Sequence, residues 1–314
     1  MSLSHREEQR GDRVTDVLID DARGVRLIVS RLGAEPVSLA RRNKAGEWIG
    51  FLYRDNELAA PAQGWANHAT VMGYFLHRLK DGHSLYRGHE IKGGTHSFLR
   101  NKNWRLADTR IGETGSLTYR ITPQDFTPAE YPLRVRLDLS YSIENESVTV
   151  KFRFKNNEPE LTAHVAFGLH PGFAASSFET FQFRLPAGRY RRHFSPDNYL
   201  SGETAEIEFS GGEMTFPRKQ LPGSYILELV DVPEREFVYL DPPSGRQMML
   251  DLTEVPYLTL WSDGGPFLCV EPCWGLTDHH KQRAFEDKEG IQAIPAGDEL
   301  LKKFVLKPQL LEQK

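Results

Sequence analysis

Apolar and polar positions alternate with a period of two along most of this chain. Leu133, Val135, Leu137, Leu139 and Tyr141 share one face, and Arg134, Arg136, Asp138 and Ser140 the other. After the turn "ENE", Val148, Val150, Phe152 and Phe154 alternate with Thr149, Lys151 and Arg153. Successive strand side chains point to opposite faces, so this stretch predicts an antiparallel hairpin with one wet face. Further strands are predicted at "VRLIVSRL", "SLTYRIT", "TAHVAFGL", "FQFRL", "YILELV", "EFVYL", "QMMLDL", "YLTLWS", "FLCVEP" and "KKFVLK". Gly, Pro, Asn and Asp separate them at short intervals. No segment carries the i, i+3, i+4, i+7 stripe of a full helix, and only "TDHHKQRAFEDKEG" has room for a short one. Many short strands predict an all-β protein of stacked antiparallel sheets. Residues 1–18, opening "MSLSHREEQRGDRVTD", are expected to form a frayed polar tail, and residues 19–314 a single domain. Two β-sandwiches fused face to edge would satisfy the same pattern.

Composition narrows the picture. The 314 residues are 39% hydrophobic and 26% charged, as in ordinary globular proteins. A net charge of −4 gives no reason to expect nucleic acid or an anionic membrane as partner. No apolar run approaches the roughly 18 residues of a membrane span. The only cysteines, Cys269 and Cys273, make neither a disulfide framework nor a four-ligand zinc site. A cytoplasmic location is the expectation.

Candidate chemistry starts at "GGPFLCVEPCWG", where Glu271 closes the apolar run 267–270 against a proline. An ionised carboxylate in so dry a place needs a partner or a purpose. It is either paired with an arginine or a general base tuned by partial burial. His170, in "AFGLHPGF", is expected at a strand end beside a rigid His-Pro-Gly turn, with its backbone held extended by the proline. His96 follows two glycines and a threonine, where the chain can approach a ligand closely. Arg78 lies in "FLHRLKDG". Taken singly, each also reads as an ordinary structural residue. Asp278, His279 and His280 lack the spacing of a metal site, and no metal or cofactor is expected. The cluster "GRYRRHF" reads as a solvated turn, and no phosphate loop, nucleophile elbow or dinucleotide fingerprint is present.

Together these islands are more specific. "WANHATVMGYFLHRLKDG", "THSFLRNKNW", "GLHPGF" and "VPYLTLWSDGGPFLCVEPCWGLTD" followed by "EDKEGIQAIPAGDELLKKFVL" resemble the aldose 1-epimerase (galactose mutarotase-like) family. The resemblance implies a large antiparallel β-sandwich, a supersandwich, with a sugar cleft on its concave face. It implies Glu271 as base, His170 as acid, His96 assisting at the sugar ring and Arg78 contacting the sugar. Such chemistry needs no electron carrier and no metal. Some places depart from the family's pattern. His77 and Ser97 stand where glycine is common, and "EPC" replaces "EPW". Trp274, one place later, is expected to stack on a sugar face. Ser224 or Tyr225 falls where relatives carry a sugar-binding aspartate, with Asp241 or Asp251 as conceivable substitutes. The expected activity is interconversion of the α and β anomers of a hexose or related sugar. The alternatives are the same chemistry on a sugar phosphate, recruiting Arg100 or the Arg189–Arg192 cluster, and a non-catalytic carbohydrate-binding protein.

Overall fold

The computed structural model describes residues 3–214, 218–281 and 283–312. The strands run where alternation predicts them. The hairpin pairs Val135–Glu144 with Ser147–Asn156, Glu144 facing Ser147. Asn145 and Glu146 close it with φ of 47° and 67°, the doubly left-handed turn that matches strand twist. Within "TDHHKQRAFEDKEG" the only helical turn among the described residues is the 3₁₀ turn Phe285–Asp287. No helix among the described residues is long and apolar enough to cross a membrane.

Strands collect into antiparallel sheets of five, nine, eight and two strands. The nine- and eight-stranded sheets face each other across the main core. Phe152 and Phe154 of one meet Phe167 and Trp274 of the other at ring-centroid distances of 4.6 to 6.0 Å. The eight-stranded sheet carries the site. Its central strands are Tyr225–Asp231, Tyr257–Trp261, Phe267–Trp274 and Ala163–Ala174, with Ala69–Tyr74 also paired to the last. On Phe267–Trp274, Leu268, Val270 and Trp274 enter the core, so 269, 271 and 273 face the other way. On Ala163–Ala174, Val165, Phe167, Leu169 and Phe173 enter the core, and His170 faces away from it.

Three expectations need correction. The polar tail does not fray: Leu3–Arg10 pairs with Arg13–Asp20 along its full length as the edge of the five-stranded sheet. Charge pairing does there what apolar burial does elsewhere. Buried Asp16 accepts from His5 at 2.9 Å and from both Nε and an Nη of Arg31 at 2.9 Å. A charged edge strand also resists pairing with another chain. Neither "HP" nor "EP" ends its strand: His170 and Glu271 lie inside Ala163–Ala174 and Phe267–Trp274. The ladder joining these strands has pairs at Gly168↔Cys273 and Gly172↔Cys269 and none between them. Pro171 and Pro272, which have no N–H to give, both fall in that gap.

Candidate active site

The gap in the ladder is where Glu271 and His170 meet. The Glu271 side chain is 1% exposed. Its Oε1 lies 3.2 Å from Nε2 of His170, and its Oε2 lies 3.0 Å from Nε2 of His77. An ionised carboxylate can only accept, so Nε2 of His77 carries the hydrogen of that bond, while His170 meets the carboxylate as a charge contact. Nδ1 of His170 is buried without a hydrogen-bond partner. His96 closes the cluster, its ring 5.0 Å from that of His170 and 5.6 Å from that of His77. The backbone N–H of His96 donates to the carbonyl of His77 at 2.7 Å, which ties the two islands together.

This junction is built in glycine-type backbone. His77, His96 and Ser97 have φ of 52°, 65° and 66°. Left-handed backbone costs a residue with a Cβ roughly 1–2 kcal/mol. The places read in the sequence as departures from glycine, His77 and Ser97, therefore keep a glycine's conformation while carrying side chains.

Electrostatics follow from burial. Burial pushes His170 below the ordinary histidine value of 6.5, and the charge on Glu271 pulls it part of the way back. His96 is pushed well below 6.5, first by burial and then by the neighbouring His170 and His77. His77, Glu271 and Cys273 place three donor atoms within 4.8 Å of one another, a set a zinc-class ion could use. The Cys273 thiol is held well above its usual range by burial and by Glu271, and stays protonated in the free protein.

The cleft around this cluster has a volume of about 290 Å³ and opens beside Arg78, Arg100 and Asn67. Among the described residues neither arginine has a carboxylate partner. Arg100 donates to Asn67 at 3.3 Å. Trp65 stacks on His170 at 5.1 Å and Trp261 stands edge-on to it at 5.7 Å. The expected stacking residue, Trp274, is elsewhere. Its ring lies in the core, stacked on Phe167 at 5.1 Å, with Nε1 donating to the carbonyl of Glu254 at 2.9 Å. Alternation was the available signal, because positions 271 and 274 differ in parity and face opposite sides of the sheet. Trp261 was legible the same way. Thr259 pairs with Glu271 and Trp261 with Cys269, so both lie on the cleft side of the sheet, and Trp261 lines the cleft.

Ser224 lines the cleft with Ser195, Asn198 and Thr277. Neither candidate aspartate is among the lining residues. Asp241 is enclosed by Ser176 and Thr180, at 2.8 and 2.9 Å, and Asp251 caps Thr253. The arginine cluster lies outside as well. Arg191 pairs with Glu206 and Glu228, and Arg192 covers the rings of Phe194 and Tyr225.

Fold and cleft define an all-β protein of the galactose mutarotase-like class, with one carboxylate held among imidazoles on its open sheet face. A family model described as aldose 1-epimerase matches residues 15–288, and the chain belongs to that family. Solved structures with the same fold include a galactose mutarotase related enzyme from Lactobacillus acidophilus (19% identity, 98% of this chain and 97% of that one, TM-score 0.79). A galactose mutarotase-like protein from Lactobacillus casei follows (18%, 98% and 100%, 0.76). A galactose 1-epimerase from Lactobacillus acidophilus is similar at 11% identity (98% of both chains, 0.72). No curated protein matches the sequence.

Proposed function

We propose that this protein interconverts the α and β anomers of an aldose, a hexose or related sugar, by general acid–base catalysis. The observation that carries the reading is the 3.2 Å contact between Glu271 Oε1 and His170 Nε2 at the floor of the cleft. Anomerisation needs a proton removed from the C1 hydroxyl and another delivered to the ring oxygen. Those two oxygens are bonded to one carbon, so a base and an acid on neighbouring strands can serve both once the sugar lies between them. Glu271 Oε1 takes the hydroxyl proton, His170 in the fraction of molecules where it is protonated gives its Nε2 proton to the ring oxygen, and the C1–ring oxygen bond breaks. The aldehyde turns about C1–C2 and closes on its other face as both transfers reverse. The transfers are coupled. Neutralising Glu271 removes the charge that favours the imidazolium, which makes His170 a stronger acid as the ring oxygen needs its proton. His96 is held neutral by burial and is placed to hydrogen-bond the sugar.

Glu271→Gln keeps the shape of the side chain and removes the base. Sugar binding by calorimetry should persist while the acceleration of mutarotation seen by polarimetry falls by about 100- to 10,000-fold. A Glu271→Gln variant as fast as wild type would reject the assignment. Binding without acceleration by the wild-type protein would select the non-catalytic carbohydrate-binding alternative.

A specific observation also favours an anionic sugar. Arg78 and Arg100 bring two guanidinium groups to a cleft whose one carboxylate among the described residues, Glu271, already meets two imidazoles. A hexose phosphate would use that excess of positive charge. Comparing a hexose with its 6-phosphate decides the matter. Preference for the phosphate, lost in Arg100→Gln and matched by inhibition with inorganic phosphate, is the outcome this second reading requires.

A further inference from the structure

We infer that His77 is a positioning residue for this reaction. Its Nε2–H holds Oε2 of Glu271, so that Oε1 can leave His170 and turn to the sugar. The inference rests on the anomerisation reading and adds to it the residue that makes Glu271 available as a base.

The two groups that the sugar must come between are in contact, Glu271 Oε1 lying 3.2 Å from His170 Nε2. The sugar has to come between them, with its C1 hydroxyl on Oε1 and its ring oxygen on the imidazole. At that moment Glu271 loses its charge contact with His170. Its side chain is 1% exposed, so water cannot take over. Thr259 faces the same side of the sheet, opposite Glu271 in the ladder, but no hydrogen bond joins its Oγ1 to the carboxylate. The donor already in place on the carboxylate is His77, at 3.0 Å on the oxygen that the reaction does not use. With it, the carboxylate keeps a charge-assisted hydrogen bond throughout. Without it, an ionised Glu271 would be stranded or would stay clamped to His170, and the base and the acid would be withdrawn together.

Two further observations agree. His77 occupies left-handed backbone, φ +52°, a conformation a glycine would adopt without strain. Its carbonyl accepts the N–H of His96 at 2.7 Å, so the residue that orients the base also fixes the neighbouring imidazole.

The test uses the full chain and four proteins: wild type, Glu271→Gln, His77→Gly and His77→Gln. Anomerisation is followed by polarimetry over a range of sugar concentrations, and thermal melting by circular dichroism. Acceleration by wild type and its loss in Glu271→Gln establish the base first. His77→Gly relieves the left-handed backbone but takes a donor from a buried carboxylate, so the melting curve shows that each variant is folded at the assay temperature before its kinetics are compared. The kcat of His77→Gly should fall by about 10- to 100-fold, the worth of a hydrogen bond to a charged group. KM should stay within about threefold, because the lost interaction matters most once substrate has displaced His170. Glutamine at 77 carries an amide N–H close to where the imidazole carries Nε2–H, and should recover most of kcat. Wild-type kcat in His77→Gly would overturn the positioning role and leave the base assignment standing. So would a rise in KM at constant kcat, or a glutamine variant as slow as the glycine variant. A wild-type protein that does not accelerate anomerisation would overturn both.

Discussion

Glu271 is a charge in a place that should hold none, and its surroundings explain how it persists. Leaving a buried carboxylate without donors would cost several kcal/mol. Here one imidazole meets each oxygen, at 3.2 and 3.0 Å. The same contacts set the behaviour of the histidines. His170 is pushed below 6.5 by burial and pulled up by Glu271, and His96 is pushed well below 6.5. In the free protein, NMR titration of the ring protons should show both titrating under 6.5, His96 lower than an exposed histidine by a wide margin. Glu271→Gln removes the attraction on His170, so that residue should titrate lower still. An upward move would show that the carboxylate is not the group stabilising its imidazolium.

At the scale of the element, parity and proline decide which side chains reach the cleft. Each strand of the eight-stranded sheet sends one residue in two to the core, which is why Trp274 stacks on Phe167 while Glu271 and Cys273 look outward. The segment after Trp274 is held by a buried ion pair. Lys288 contacts Asp278, and Asp278 accepts the backbone N–H of Lys80 at 2.7 Å while its own N–H donates to the carbonyl of Arg78 at 3.1 Å. The pair therefore pins the segment that carries Arg78 to the end of the strand that carries Glu271. Burial lowers Lys288, and Asp278 opposes that by favouring its ammonium. Asp278→Ala would leave a buried ammonium unpaired and the Lys80 N–H unbonded. Urea denaturation should show a loss of about 3–5 kcal/mol. KM for sugar should rise in the same variant as Arg78 loses its anchor.

For the molecule as a whole, the main core lies between the nine- and eight-stranded sheets, and the cleft occupies the outer face of the latter. A rigid sheet holds groups from distant segments at hydrogen-bond distance before substrate arrives. The arrangement has a cost in acid. His96 and His170 are buried with lowered proton affinity, whereas in the unfolded chain each returns to about 6.5. Between the folded and unfolded values the unfolded state binds more protons, so stability rises with pH across that window. Melting temperature should thus hold above pH 7 and fall as the pH drops below about 6.5 toward 5. His96→Gln, which removes the more strongly depressed group, should flatten that fall. A wild-type melting temperature unchanged between pH 7 and pH 5 would contradict the burial of neutral imidazoles.

Much of this architecture was legible in the chain itself. Alternation marked the Val135–Asn156 hairpin, and the polar islands marked Glu271, His170, His96 and Arg78, all of which line one cleft. Strand periodicity is written into covalent geometry, one residue to each face in turn, so it depends on nearest neighbours alone. What that geometry leaves open is which faces meet. His77 and Glu271 are 194 positions apart, and nothing local to either one shows that the imidazole ends on the carboxylate. The charged strand Leu3–Arg10 reads as a tail until Asp16 and Arg31 are seen to pair around it. Residue types and their faces were determined by the sequence. The partners of each charge, and the choice of Trp65 and Trp261 over Trp274 at the site, were decided by tertiary structure, because pairing energies depend on groups that only folding brings within a few ångströms.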